Sequence, residues 1–506
     1  MSRPPPRRAA SVAMSVAPLA VAAIAFEPIV GNYFFADDFW GLYRIVNDPL
    51  WRFLLEPEGG HLYFVRNAIF YVSYHLFGHK PQYYFGAVLL THLLNVFLLF
   101  QLIRRVADSP RLACFGASLW GASPTNEGAL GWYAVYGQVL ATTLVVGAVL
   151  LLVRRVRPGS PAGWKTLAAC GTLLVAASGS FGVGLAVALV FPAVAALLAG
   201  RGGLRRSAWA LALAIPPSVA TLYVAHQRYQ VHTYGRHLTE IPLGASSPVP
   251  VARMLVHLGG FGISSLMVAI ATWPLPYPGA LADVAIAIFT GGTMLALILS
   301  TRAERGALLA FTLLAVATYG VIAGARASLY PSIAVPLETA AAVPRYHYLG
   351  PVWLSVMVCL ALRRIGVSSG VRRFPGGVLL AGWIGFAAVA AHANGHAIDQ
   401  HVEARRETER VLGAIRTEIA SRPPGEPVFI TNRSFQPAGF IPMPDGSPFP
   451  GWVAVFEIFF PENTVEGRRV FFVSDGSART RARTGRITSL LVGSAAAPAR
   501  DPARAD

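Results

Sequence analysis

Two carboxylates stand side by side just past the first long apolar segment of the chain, in the run Asn32-Tyr33-Phe34-Phe35-Ala36-Asp37-Asp38-Phe39-Trp40. A carboxylate in hydrocarbon costs on the order of 3 kcal/mol even on the lenient insertion scale. A pair at a membrane face therefore needs water, a partner or a task. The task open to Asp37 or Asp38 is that of a general base, which holds a hydroxyl and takes its proton. Adjacent carboxylates that face each other also raise one of the two pKa values into a useful range. The plain alternative is an N-terminal cap for the helix that follows, and one carboxylate can do both.

Other groups able to do chemistry lie near the same membrane face. Arg66 closes the stretch Gly59-Gly60-His61-Leu62-Tyr63-Phe64-Val65-Arg66, and Arg345 lies in Pro344-Arg345-Tyr346-His347-Tyr348. A guanidinium fork matches the oxygens of a phosphate. Glu127, in Ala122-Ser123-Pro124-Thr125-Asn126-Glu127, adds an acid. The plain readings are a solvated loop histidine at His61, headgroup contacts at Arg66, Glu127 and Arg345, and an interfacial aromatic belt at Phe39, Trp40, Trp51, Tyr63, Tyr83 and Tyr84. His226, His232 and His237 share a loop without any standard metal-ligand spacing. Cys114, Cys170 and Cys359 each lie in an apolar segment, which suits core residues rather than disulfides.

Helices in a bilayer must hold these groups. The 506 residues are 54% hydrophobic and only 13% charged, with a mean hydropathy of +0.51. A soluble domain carries about 25% charged residues. The net charge of +17 is almost wholly arginine, since Lys80 and Lys165 are the only lysines. Those arginines cluster between apolar segments, as the positive-inside rule requires, and this excludes a nucleic-acid-binding reading. Arg3, Arg7 and Arg8 place the N-terminus in the cytoplasm. Spans follow at about 9–30, 82–103, 112–130, 133–153, 166–180, 183–200, 207–225, 281–300, 306–325, 347–362 and 376–393. The segment 254–272 contains Gly259, Gly260 and Gly262 and precedes a Trp-Pro-Leu-Pro-Tyr-Pro run. It is expected to lie on the outer face as a re-entrant or interfacial helix. The polar loop 31–80 is outside and carries helical-period amphipathic stretches over 39–55 and 67–77.

The expected fold is an all-α polytopic membrane protein of about eleven spans, with a small extracytoplasmic α/β appendage at the C-terminus. The membrane domain covers 1–393, the appendage 394–476 and a low-order tail 477–506. Strands are expected at 427–431, 452–460 and 469–473, after a charged helix-prone stretch from 396 to 420.

The acidic pair, the His61-to-Arg66 stretch, and Phe77-Gly78, Pro81, Tyr84, His92 and Asn95 together resemble the N-terminal half of GT-C superfamily glycosyltransferases. Trp120, Pro124, Glu127, Trp132 and Gly137 resemble their third and fourth spans, and Arg345-Tyr346-His347-Tyr348 their late Arg-Tyr-x-Tyr element. Protein O-mannosyltransferase-like enzymes of bacteria are the nearest in pattern. Two departures stand out: Ser123-Pro124 replaces a His-Pro pair, and Gly179-Ser180-Phe181-Gly182 replaces a Lys-Glu element. The resemblance implies sugar transfer from a polyprenyl-phosphate donor to an extracytoplasmic protein, lipid or glycan acceptor, by an inverting single displacement. Asp37 or Asp38 is then the base, and His61, Arg66, Glu127, Arg345, Tyr346 and Tyr348 bind substrate. No cofactor is required, though a divalent metal stays open, and the setting is a bacterial inner membrane. The alternative is a non-enzymatic transporter or flippase of lipid-linked saccharides, which calls for polar groups along a path through the spans.

Overall fold

A computed structural model describes residues 7–34, 37–55, 61–156, 161–200, 203–234, 247–268, 275–332 and 334–369, the strands 428–430 and 470–472, and single residues between 382 and 421. The chain groups into two compact units, one of Met1–Asn32 with Leu50–Asp399, the other of Tyr33–Pro49 with Gln400–Asp506. The sequence placed the domain boundary at 394; the helix that begins with the acidic pair groups with the C-terminal unit.

The first unit is a helical bundle. Its long helices are α1 (Arg7–Phe26), α5 (Pro81–Ala107), α8 (Tyr136–Arg155), α10 (Gly182–Ala199), α11 (Arg206–Tyr234), α12 (Pro248–Val268), α13 (Ala280–Leu299), α14 (Arg302–Arg326) and α17 (Gly350–Ser369). Shorter ones are α3 (Leu50–Leu54), α4 (Phe64–Phe77), α6 (Pro110–Gly121), α7 (Glu127–Leu130), α9 (Trp164–Ser178), α15 (Leu329–Ser332) and α16 (Leu337–Ala341). In the second unit, α2 spans Asp37–Asn47, and β1 (Val428–Ile430) pairs in parallel with β2 (Val470–Phe472). Two of the three expected strands are thus present; 452–460 lies outside the described residues, as does most of 376–393.

Among the described residues, eight helical segments are long and apolar enough to cross a membrane, those of α1, α5, α8 and α10 through α14. The protein is a polytopic membrane protein. The expected span at 112–130 is instead the twelve-residue α6 followed by short turns. Pro124 explains the stop, because proline biases the residue before it out of the helical region, and Ser123 is extended at ψ 129. The single amphipathic stretch expected over 39–55 is likewise divided at Pro49 into α2 and α3. Local caps fix other boundaries. Ser109 Oγ accepts from the Leu112 amide at the start of α6, and Thr301 and Glu304 form a reciprocal capping box on α14.

One end of the bundle gathers the arginine clusters. Arg154 donates to Gln101, Arg363 to the Val106 carbonyl, and Arg364 to the Leu299 carbonyl while facing Glu304. Only 2.6 Å separates the Cβ position of Gly306 from the Leu197 carbonyl oxygen. The ends of α5, α8, α10, α13 and α17 and the start of α14 therefore share one face, which we call the arginine face. The far end of α14 and the start of α13 define the opposite face.

α12 does not take the expected re-entrant form: it is one continuous helix, long and apolar enough to cross a membrane. Its glycines do not interrupt it: they admit neighbours. The Cβ position of Gly262 lies 2.0 Å from the Tyr319 hydroxyl, and that of Gly260 lies 2.8 Å from the Tyr277 hydroxyl. Four of its side chains meet the segment that follows α14. Val249 and Arg253 meet the segment after α14, His257 meets Glu338, and Phe261 packs on His347 at 4.6 Å.

The core between α5, α6 and α17 is polar and closed. His92 bonds the Tyr348 hydroxyl at 2.8 Å through Nδ1 and the Gly121 carbonyl at 2.8 Å through Nε2. Asn95 donates to the Val139 carbonyl and to Tyr348, while Trp120 Nε1 donates to the Tyr348 carbonyl at 3.0 Å. In an apolar medium such groups must be satisfied internally, and this set ties three helices to one turn.

The packing at Gly262 is testable. Gly262→Ala is expected to displace the Tyr319 ring from its 3.1 Å contact with His347 and to cost about 1–3 kcal/mol. Thermal unfolding in detergent should show a lower midpoint, with partial recovery in Gly262→Ala/Tyr319→Phe; an unchanged midpoint contradicts the packing.

Candidate functional site

The sequence-predicted residues divide between the two units. Asp37 and Asp38 form the first turn of α2, where a helix N-terminus favours negative charge. Asp38 is fully buried and Asp37 half-buried. Around them the second unit packs aromatic rings: Phe39 lies 6.3 Å from Tyr33 and from Phe34, and Trp40 stacks on Tyr43 at 5.6 Å. Arg44 pairs with Asp48 one turn on and lies 5.3 Å over Trp40.

The segments that carry Glu127, Arg345 and Tyr346 meet in the first unit. The turn Pro344–His347 lies directly on α7, because Gly128 has no side chain. Its Cβ position is 2.4 Å from the Arg345 amide nitrogen and 2.8 Å from the Pro344 carbonyl carbon. Glu127, the neighbour of that glycine, is buried. Arg345 is half-buried between aromatic faces, 5.4 Å over Trp132 and 5.3 Å over Tyr346. Burial works against its charge, but the Tyr346 and Tyr330 hydroxyls outweigh that and raise its pKa further above the ordinary arginine value. Those two hydroxyls are hydrogen-bonded to each other. A hydroxyl pair has one proton to spare beyond the bond it shares, so it can donate to an anion beside Arg345.

Sequence reasoning missed Arg326. It ends α14 on the face opposite the arginine clusters, against the charge rule that places the others, and this was the available signal. Arg326 and Arg345 both act electrostatically on Tyr330, and Arg326 acts on His61 as well. Among the described residues neither a carboxylate nor a hydrogen-bond acceptor is paired with the Arg326 guanidinium, which is half-buried. Two guanidiniums and two phenols thus gather at one end of the bundle.

Three expected substrate-binding residues do other work. Tyr348 is fully buried, its hydroxyl engaged by His92 and Asn95, so it anchors the turn. Arg66 is buried too. Its guanidinium donates to Asn67 Oδ1 at 2.8 Å and to the Ala134 carbonyl at 3.1 Å, and lies 4.8 Å over Tyr63. It ties α4 to the turn before α8. His61 stacks on Phe181 at 4.3 Å. Burial, then Arg326 and Arg66, lower its pKa to about 3, so the ring is neutral at ordinary pH.

The His61 packing also accounts for the Gly179-Ser180-Phe181-Gly182 departure. The Cβ position of Gly179 is 2.1 Å from the Phe64 ring, and that of Gly182 is 2.7 Å from His61 Nδ1. The Val65 amide bonds the Gly179 carbonyl at 2.9 Å. A Lys-Glu pair does not fit where the loop from His61 to Val65 presses on this turn. Among the described residues no three His, Cys, Asp or Glu side chains converge as a metal site.

No protein-family model matches the chain, and no curated protein matches it. Among solved structures it is similar to ArnT from Cupriavidus metallidurans bound to undecaprenyl phosphate, at 13% identity and a TM-score of 0.49, over 95% of this chain and 90% of that one. It is similar to the Archaeoglobus fulgidus oligosaccharyltransferase tethered to an acceptor peptide, at 11% identity and a TM-score of 0.39, over 84% of this chain and 62% of that one. AglB from Archaeoglobus fulgidus, in complex with an inhibitory peptide and a dolichol-phosphate, gives 13% identity and a TM-score of 0.41, over 92% and 64%. The chain thus spans less than two thirds of the length of the two archaeal enzymes.

The neutral state of His61 has a pH consequence. Its pKa in the fold lies below the unfolded value of about 6.5, so the unfolded chain binds the extra proton first. The stabilisation is complete above about pH 6.5 and is lost as pH falls toward 3. Unfolding measured from pH 7 to pH 4 should show a stability slope that His61→Phe, which keeps the stack, reduces by up to one proton. An identical slope in both proteins contradicts the assignment.

Proposed function

We propose that this protein is a membrane glycosyltransferase of the GT-C type, moving a sugar from a polyprenyl-phosphate donor to an extracytoplasmic acceptor. The observation that carries the reading is Arg345, set over Trp132 and Tyr346 beside the Tyr330–Tyr346 hydrogen bond, with Arg326 acting electrostatically on Tyr330, at the bundle end opposite the arginine face. With the arginine face in the cytoplasm, as the positive-inside rule directs, these groups lie at the outer membrane surface of the cell. That setting is a bacterial inner membrane, with the N-terminus cytoplasmic and the C-terminus extracytoplasmic.

The charge change of the reaction suits two cations. The donor is a phosphodiester with one negative charge. As the bond from the anomeric carbon to the phosphate oxygen breaks, the bonding pair stays on the phosphate, which becomes a monoester with nearly two. Guanidiniums fixed beside that oxygen stabilise the transition state more than the ground state. The acceptor hydroxyl attacks the anomeric carbon from the opposite side and inverts it. Asp37 or Asp38 takes the proton the hydroxyl loses. Glu127 and Tyr346 orient the sugar and phosphate, while Arg66, His61 and Tyr348 hold the frame. The scheme draws on no cofactor.

The transporter reading is less well supported. Its polar path has a counterpart in His92, Asn95 and Tyr348, but both His92 nitrogens, the Asn95 amide nitrogen and the Tyr348 hydroxyl are engaged with one another and with backbone carbonyls.

Asp37→Asn and Asp38→Asn, made separately in the native host, test the proposal. The variant that removes the base is expected to slow transfer by about 10²–10⁴-fold, so one class of cell-envelope glycoconjugate should disappear from mass spectra while the protein stays in the membrane. Unchanged glycoconjugates in both variants overturn the catalytic reading.

A further inference from the structure

A cavity of about 440 Å³ opens between the first turns of α12 and the segment that follows α14. Val249, Pro250 and Arg253 form one wall; Pro331, Val335 and Glu338 lie on the other. It belongs to neither the arginine pair nor the acidic pair, and nothing in the proposed reaction uses it.

The second wall is built rather than loose. Ala334 within it adopts the left-handed region at φ 58, which costs a non-glycine residue about 1–3 kcal/mol. The turn is closed by bonds from the Ala334 amide to the Pro331 carbonyl at 3.2 Å and from the Val335 amide to the Tyr330 carbonyl at 2.9 Å. Glu338 is placed by His257, whose Nε2 is 3.7 Å from its carboxylate, and the His257 carbonyl accepts from Tyr277 at 3.0 Å.

The lining selects a class of ligand. Pro250, Pro331 and Pro336 offer no amide donors, so an extended peptide finds few backbone partners. Among the described lining residues there is no aromatic ring on which a sugar could stack. What remains is an apolar floor with one guanidinium and one carboxylate. Val249, Arg253 and Val256 fall on one stripe of α12, and the two valines are 66% and 72% exposed. An arginine between exposed valines at the end of a bundle is arranged as a headgroup contact above acyl chains. Pro331 ends the apolar segment Arg302–Pro331, which sets the cavity at headgroup depth.

We propose that this cavity binds the headgroup of a zwitterionic aminophospholipid, with its phosphate on Arg253, its ammonium on Glu338 and its acyl chains along Val249 and Val256. The primary ammonium matters because it donates hydrogen bonds to a carboxylate, which a trimethylated one cannot.

The full-length protein, purified and challenged with defined lipids, tests this by native mass spectrometry. Wild type should retain phosphatidylethanolamine about fivefold over phosphatidylcholine and over phosphatidylglycerol, the scale of one exposed charged contact. Arg253→Ala should lower retention of all three, Arg253→Lys should restore it, and Glu338→Gln should remove the preference for phosphatidylethanolamine over both other lipids. The proposal fails if wild type shows no such preference, if Glu338→Gln keeps it, or if Arg253→Ala retains all three lipids as wild type does. It also fails if undecaprenyl phosphate displaces the bound lipid, which would give the cavity to the sugar donor's chain. Arg253 and Glu338 play no part in the proposed transfer, so this result and the loss of glycoconjugates in the aspartate variants are read separately.

Discussion

The close approach of Gly128 to the backbone of Pro344 and Arg345 is the contact on which the site depends. The turn that carries Arg345 has no regular structure of its own beyond a single 3₁₀ turn. It is held from three sides: by α7 at Gly128, by His92, Asn95 and Trp120 at Tyr348, and by Tyr319 and the Ala341 carbonyl at His347. A guanidinium on a long stem is useful for recognising an anion only if its base is fixed. Here that base is fixed by groups buried in an apolar medium, where leaving any of them unpaired is costly.

The distribution of arginine gives the site its chemical sense. Arg305, Arg363 and Arg364 gather at one end, where they bond the carbonyls that close α5 and α13. Arg326 and Arg345 break that rule: both act on the phenol Tyr330, and Arg345 also lies over Tyr346. Phenol hydroxyls orient a guanidinium without neutralising it, so positive potential is kept for a ligand. A carboxylate in their place would have formed a stable pair and cancelled it.

Much of this was legible in the residues, and for reasons that can be named. Helices α5, α8, α10, α13 and α14 follow from uninterrupted apolar runs bounded by arginine, and Arg345 and Glu127 stand out as charges at segment ends. Positions decided by close packing were not legible. Gly179 and Gly182 read as a lost Lys-Glu element, whereas their function is to admit Phe64 and His61. Gly262 read as a mark of a re-entrant or interfacial helix, whereas it admits Tyr319. Arg66 and Tyr348 looked like ligands because their types suit a phosphate, yet long-range partners at Ala134 and His92 turn both inward. Arg326 was overlooked because a single arginine after an apolar run looks like any other span end, and its significance depends on which face that end occupies.

The central claim is that Arg345 and Arg326 form the seat of a lipid-linked phosphate. Binding of undecaprenyl phosphate to the purified protein, measured by titration in detergent, tests it most directly. Arg345→Ala and Arg326→Ala should each weaken binding by about tenfold or more, the loss of one charge-assisted contact, while Arg302→Ala on the arginine face leaves it unchanged. Equal affinity in all four proteins would contradict the account.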